Sequence, residues 1–366
     1  MDTAPSRVTG PRIGVIMTCF NRRQKTLACL DAVLAQTALR TMALDFFITD
    51  DASADGTAEA LLARHPCIRL LKGNGALYWN GGMRLAWSEA LRGAYDFFLW
   101  LNDDTFLYPD TLQRLVDTHY AHYGSSHSSN SRNSRWRSCG GSGSGNTENS
   151  ENTENTESFE NTGNTGNTGN TGNTGNTGNA DHTDHTDNSS ASAGSGRAGI
   201  VIGSTQDGCG NLSYGGERQR SRLRPLTLSK IAPQDVAQRC DTFNGNCVLI
   251  PRAAAAVLGN LDAGFVHAMG DTDYGLRARQ AGIPMWVLPG FAGSCVNDSS
   301  AGGTAAATLP LRLRMHQLLA PKGLPWRPWR LLCRRHAGYL WPIYWSWPYL
   351  KVVATTLYLR ARQRIG

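Results

Sequence analysis

Between Gly124 and Ala198 the chain offers almost nothing from which a folded core could be made. The stretch passes through serine-rich and Asn-Thr-Glu sequence into unbroken Asn-Thr-Gly triplets from Asn161 to Gly178, with Trp136 and Phe159 as its large apolar residues. Such a composition cannot offset the entropy lost on ordering a backbone, so it predicts a disordered insertion over 124–198, and a long loop is entropically tolerable. Its period of three lacks the proline of collagen. His182 and His185, in its Asp-His-Thr repeats, would hold a metal only weakly. Any core must therefore be assembled from the flanks, residues 1–123 and 199–298, with residues 299–366 as a C-terminal extension.

At 366 residues the chain can bury a core without staples. Its nine cysteines are scattered and never spaced C-x-x-C, which excludes a disulfide framework or zinc site and fits a reducing cytosol. The net charge of +7 is unevenly placed. Residues 1–123 hold 12 basic and 13 acidic side chains and residues 199–298 hold 9 and 8, whereas the chain after Asp298 holds 11 basic, no acidic, and five of the ten tryptophans. A nucleic-acid protein more often spreads its cations over the folded surface, and stacking of the tail on nucleic acid is the weaker reading. The tail suits an anionic membrane surface, with a pair of helices docked on the core as the plainer alternative. Arg7 and Arg12 precede only the short run Ile13–Met17, so no secretory signal is expected. Ile343–Leu359 falls short of the roughly 20 apolar residues that a crossing needs. The expected location is cytoplasmic, peripheral on the inner membrane face.

Strand and helix patterns alternate before the insertion. Apolar runs at Ile13–Cys19, Phe46–Thr49, Ile68–Leu71 and Phe97–Leu101 read as strands, and Arg23–Ala38, Thr57–Arg64, Gly82–Leu91 and Pro109–Tyr120 read as helices. Alternation predicts an α/β fold with a Rossmann-like, mostly parallel sheet flanked by helices, whose ligands sit at the carboxyl ends of the strands. Those ends are polar: Thr18, Phe20 and Asn21; Asp50 and Asp51; Asn74 and Asn80; Asn102, Asp103 and Asp104.

Asp103 and Asp104 end the apolar run FFLWL, and carboxylates forced together at a sheet edge call for a cation. Mg²⁺ or Mn²⁺ is typically held by one or two carboxylates together with substrate phosphates, which a nucleoside diphosphate would supply. No Walker-type loop is present, and Gly73-Asn-Gly75 lacks the third glycine of a dinucleotide fingerprint. After the insertion come the strand AGIVIGST, the segment YGGE at 214–217, and FNGNCVLIPRAA, a strand running into a helix. A second acidic cluster, Asp271 and Asp273, opens a helix that Gly282 ends. Its carboxylates serve there as a helix cap, or accept a hydroxyl proton if that helix start faces a pocket.

VIMTCFNR, FITDDASADGT, NGALYWNGGMRLAW, LNDDT, GNCVLIPR and GDTDYGLRARQAG, taken in order, resemble the motifs of the family 2 glycosyltransferases of GT-A fold, among them rhamnosyltransferase-like inverting enzymes. The resemblance covers roughly residues 12–123 and 198–298, the two halves of one catalytic domain. It implies a sugar-nucleotide site formed by Thr18, Phe20, Asn21, Asp50, Asp51, Asn80, Gly81 and Asp103. It also implies a metal at Asp104, with Asn102 where the family often has an Asp, and a general base at Asp271, with Asp273 the less favoured choice. Gly270 stands where a Glu commonly precedes the base. The Q-x-x-R-W element of processive synthases is absent, so one sugar per encounter is expected. The implied activity is metal-dependent, inverting transfer of a sugar to a hydroxyl of a glycan or lipid-linked glycan in cell-surface polysaccharide synthesis. The alternatives are a catalytically impaired sugar-nucleotide-binding or membrane-surface scaffold, and a nucleotidyltransferase, which would want a basic Gly-rich first loop. Donor sugar and acceptor stay open.

Overall fold

The computed structural model describes residues 10–123, 198–221, 223–295 and 309–365. The expected insertion, apart from Ala198, lies outside the described residues together with His182 and His185.

The first flank alternates as its apolar runs predict. β1 (Arg12–Cys19) is followed by α1 (Arg23–Leu34), β2 (Ala43–Asp50) by α2 (Thr57–Arg64), β3 (Arg69–Lys72) by α3 (Tyr78–Ala90), and β4 (Phe97–Leu101) by β5 (Phe106–Leu107) and α4 (Thr111–Tyr123). α1 stops at Leu34 rather than continuing to Ala38. The buried side chain of Gln36 donates to the Tyr108 carbonyl at 2.7 Å and accepts from the Leu112 amide at 2.9 Å, which pulls the chain out of helical phase. The second flank runs β6 (Ile200–Gln206), β7 (Leu212–Tyr214), β8 (Gly216–Ser221), β9 (Arg224–Lys230), β10 (Gln238–Arg239), β11 (Thr242–Phe243), β12 (Cys247–Pro251), α5 (Arg252–Leu258), α6 (Gly270–Gln280) and β13 (Met285–Ser294). Gly282, with φ +70°, turns the chain away after α6. The C-terminal segment forms α7 (Leu311–Leu319), α8 (Trp326–His336) and α9 (Trp341–Ile365).

Both flanks build one sheet, in the order β10-β13-β6-β12-β4-β1-β2-β3. β3, β2, β1 and β4 are parallel, β12 is antiparallel to both β4 and β6, and β13 is parallel to β6. Most strands along this path therefore point one way, and the reversed β12 seams the two halves of the sequence together. β4 and β12 are buried at every residue, as strands covered on both faces must be. α1 and α4 supply Leu30, Val33, Leu112 and Leu115 to one apolar layer, while α3, α5 and α6 supply Met83, Trp87, Ala254 and Tyr274 to the other. In that second layer Trp100 of β4 meets Trp87 at 5.0 Å and Tyr274 at 4.9 Å between ring centroids. Tyr274 thereby fixes α6, and the acidic start of that helix, to the middle of the sheet. A smaller sheet, β11-β8-β9, stands beside it.

Candidate active site

Four non-glycine residues among those described have a left-handed backbone: Asn21 (φ 52°), Ala52 (59°), Tyr78 (53°) and Met269 (75°). They follow β1, follow β2, open α3 and precede α6. A left-handed non-glycine residue costs on the order of 1–3 kcal/mol and persists only where surrounding contacts impose it, and such residues cluster at functional sites.

The contacts that impose this conformation are made by residues expected to hold the nucleotide. Asp51 is buried, and its carboxylate accepts from the amides of Gly75 (2.8 Å), Leu77 (2.9 Å) and Tyr78 (2.9 Å). This remote cap starts α3 at Tyr78 instead of Gly82, a start that the local sequence does not signal. Asp50 accepts from the amide (3.2 Å) and hydroxyl of Ser53. Asn21 ties the first loop to the second, its amide donating to Ser53 Oγ (2.8 Å) and its Oδ1 accepting from Ala54 (2.7 Å). Phe20, half exposed, projects from the same loop.

Three expected contacts are absorbed by packing. Thr18 donates to the Thr49 carbonyl (3.2 Å), and a Cβ on Gly82 would collide with its hydroxyl, so Thr18 seats α3 on the sheet. Fully buried Asn80 donates to the carbonyls of Asp262 (2.9 Å) and Phe265 (2.8 Å) and fastens the loop before α6. Gly81 packs against Leu77. The loop that Asn80 holds also carries His267, a ring the sequence reading gave no role, 6.1 Å from the Tyr78 ring. Burial and the charges of Lys322 and Arg22 push the His267 pKa down to about 4, so it is neutral at physiological pH.

At the end of β4 the acidic turn is held by Arg22, which the sequence reading passed over. Its Nη1 donates to Asp104 Oδ2 at 2.5 Å and to Asp103 Oδ1 at 3.3 Å. Asp103 is buried; burial raises its carboxyl to about 7, the Arg22 charge opposes the rise, and the neighbouring Asp104 adds to it. Asp104 also accepts from the Cys295 thiol at 3.5 Å. Asn102, the other ligand that the resemblance implies, accepts through its Oδ1 from Trp79 Nε1 at 2.7 Å. A hollow of about 600 Å³ opens beside this turn, lined by Asn21, Arg22, Arg23, Gln24, Lys25 and Asp55.

Trp79 links the two acidic clusters. A Cβ on Gly245 would touch its ring, and the Gly245 amide donates to Asp271 Oδ2 at 2.9 Å. Asp271 also accepts from the Thr272 amide at 2.8 Å, and burial raises its carboxyl despite these bonds. Asp273 points the other way. It is fully buried and accepts from Arg277 Nε (2.9 Å) and Arg335 Nη1 (3.0 Å), with His336 Nε2 at 2.9 Å. Burial alone would raise its carboxyl, but the His336 bond and the two arginine charges outweigh burial and hold it below the ordinary range. Asp273 is thus the anchor of α8 on α6, and the arrangement does not bring it to the cleft with Asp271. The last carboxylate here is Glu217 of the YGGE segment, which had been given no role; Asn244 Nδ2 reaches its Oε1 at 3.5 Å.

Residues 14–168 match the family described as Glycosyl transferase family 2. That segment of the chain is similar to a family 2 glycosyltransferase domain. The helix-flanked, mostly parallel sheet is the α/β architecture that the alternating sequence pattern predicts. Among solved structures this chain is similar to the mannosyltransferase PcManGT from Pyrobaculum calidifontis in complex with GDP-Man and Mn²⁺, at 17% identity and a TM-score of 0.44, covering 100% of this chain and 79% of that one. It is also similar to S. aureus TarS 1–349 at 17% identity and a TM-score of 0.26 over 30% of this chain and 33% of that one, and to the same fragment with UDP at a TM-score of 0.27. No curated protein matches the chain.

Proposed function

We propose that this protein is a glycosyltransferase and moves one sugar, with inversion, from a nucleoside-diphosphate sugar to a hydroxyl of a glycan or lipid-linked glycan during cell-surface polysaccharide synthesis. The observation that carries the reading is the convergence, across Trp79, of a cation-seeking carboxylate turn and a separate carboxylate at the start of a helix.

Asp104 and Asp103 fit a Mg²⁺ or Mn²⁺ ion. Both are oxygen donors, and a guanidinium, itself a cation, bridges them, which shows that the turn binds positive charge. The described residues hold no cluster of three or more His, Cys, Asp or Glu, so the remaining ligands would be donor phosphate oxygens and water. When bound, the ion acts as a Lewis acid toward the departing diphosphate. Arg22 and Lys322 add positive charge on the same side, where both charges act on His267. Asp271 takes the acceptor proton. The acceptor oxygen then bonds to the anomeric carbon from the far face, and the bond to the diphosphate breaks with its electron pair leaving on oxygen. A positioned carboxylate contributes about 10²- to 10⁴-fold in such a step.

No helix among the described residues is long and apolar enough to cross a membrane. Exposed Ile343, Trp347, Leu350, Ala354 and Leu357 recur at helical spacing along α9, the pattern of a helix lying in the headgroup plane with its cationic neighbours toward an anionic leaflet. This supports peripheral attachment on the cytoplasmic face. Deleting α9 alone, from residue 341, tests the attachment by vesicle sedimentation; a deletion that also took α8 would remove the partners of Asp273 and confound the result.

The test of the main reading is release of free nucleoside diphosphate from a panel of UDP-, dTDP- and GDP-sugars with Mg²⁺ or Mn²⁺. Turnover that requires metal and Asp271 is expected. Protection against thermal unfolding by a donor with no release from any of them would make the protein a binding scaffold instead.

A further inference from the structure

Gly270 leaves α6 without a carboxylate at its first position, and the packing explains why. A Cβ there would run into the amide oxygen of buried Asn80, the residue that fastens the preceding loop. Another element brings a carboxylate close to Asp271. Glu217 of β8 pairs in register with Thr242 of β11, and the chain continues from β11 through Asn244 and Gly245. Asn244 Nδ2 reaches Glu217 Oε1 at 3.5 Å, while the next amide, that of Gly245, holds Asp271 Oδ2 at 2.9 Å. Adjacent residues of one loop thus hold the two carboxylates.

The two groups are satisfied unequally. Asp271 accepts from two backbone amides at 2.8–2.9 Å, whereas the contact given for Glu217 is one long bond, and Asn244 Oδ1 beside it is buried without a partner. The groups facing Glu217 are Asp271 from α6, Asn244 from the loop, and Lys230 from β9, whose amine already donates to the Ser213 carbonyl. Burial and the Asp271 charge raise Glu217 to about 7, against the Asn244 bond and the Lys230 charge. Two neighbouring carboxyls disfavour a second negative charge, and the proton falls to the one with fewer hydrogen-bond donors, here Glu217.

We propose that Glu217 is the second carboxyl of the acceptor site, donating a hydrogen bond to a hydroxyl of the acceptor carbohydrate next to the hydroxyl that ionised Asp271 deprotonates. This rests on the glycosyl-transfer reading above. Neighbouring hydroxyls on a sugar ring suit such a pair, since one accepts from the neutral acid and the other donates to the carboxylate.

The sign with pH follows. Glu217 works protonated, so kcat/KM for the acceptor falls as pH rises through about 7, where a second negative charge forms beside Asp271. The experiment uses the full chain, the donor whose diphosphate it releases, and p-nitrophenyl glycosides as acceptors. Glu217→Ala is expected to raise the acceptor KM about tenfold while the donor KM stays put. Glu217→Gln, which keeps an N–H donor but cannot ionise, is expected to lose the fall above pH 7. Protection of both variants by the donor against thermal unfolding shows that they are folded. An unchanged acceptor KM in Glu217→Ala, or a wild-type alkaline fall in Glu217→Gln, overturns the proposal while leaving glycosyl transfer standing. Absence of metal-dependent diphosphate release by the wild-type chain overturns the reading beneath it, and the proposal with it.

Discussion

The protein carries two closely spaced acidic pairs that behave in opposite ways. Asp103 and Asp104 sit side by side in a turn, and one guanidinium reaches both. Asp271 and Asp273 lie two residues apart on a helix, about 200° around its axis. Residues at i and i+2 do not share a face. Asp271 accordingly meets the Gly245 amide, whereas Asp273 meets two arginines and a histidine in the interior. Two carboxylates written close together in sequence make one site in a turn and two sites on a helix. Only the first pair can seek a single cation.

The sharpest way to break this comparison is to neutralise the helical pair one residue at a time. Asp271→Asn is expected to slow transfer by about 10²- to 10⁴-fold while donor protection against thermal unfolding persists, as read from diphosphate release and melting curves. Asp273→Asn is expected to cost about 1–3 kcal/mol of stability in denaturant titration, because it removes the buried carboxylate charge that Arg277, Arg335 and His336 share, although Arg335 keeps Asp262. Asp273 has its folded pKa depressed, so its stabilisation is present above the unfolded carboxylate pKa and is lost as pH falls through the lower folded value. A stability curve flat from pH 5 down to pH 2 would remove Asp273 from its role as anchor. If the two variants gave the same profile, the division of labour on α6 would be wrong.

Smaller effects probe the turn. Arg22→Ala is expected to lower stability by about 2 kcal/mol without metal, since it takes a charged hydrogen-bond partner from both carboxylates. Its melting temperature should rise more on adding Mg²⁺ than that of the wild type, because the competing cation is gone. An equal rise would mean that Arg22 and the ion do not share a place. Trp79→Phe keeps an aromatic side chain there but deletes the bond to Asn102, at a cost of about 1 kcal/mol. If the frozen Asn102 oxygen is what keeps that side chain from the metal, this variant should bind Mn²⁺ somewhat more tightly, as measured by titration.

The strands and the polar residues at their ends were legible because apolar runs such as FFLWL stop abruptly at charge, and a buried strand has no other way to end. Helix starts were less so. α3 begins four residues early because Asp51, 26 residues upstream of Leu77, accepts its first amides, a cap with no local signature. Arg22 looked like one more charge in the segment NRRQK. Glu217 carries no local signature, because its significance depends on β8 pairing with β11 and on that loop reaching α6.

By itself, then, the sequence determined the alternating elements, the sheet they had to form, and the polar edge at which a ligand would sit, because periodicity and burial are local properties of the chain. The tertiary structure decided which polar groups stay available to a ligand. Thr18, Asp51, Asn80 and Asp273 are spent on backbone and buried charge. Asp104 meets a side-chain cation, and Asp271 meets the loop that also reaches Glu217, since a hydrogen-bonding group is assigned by the neighbours that reach it, and those come from far along the chain.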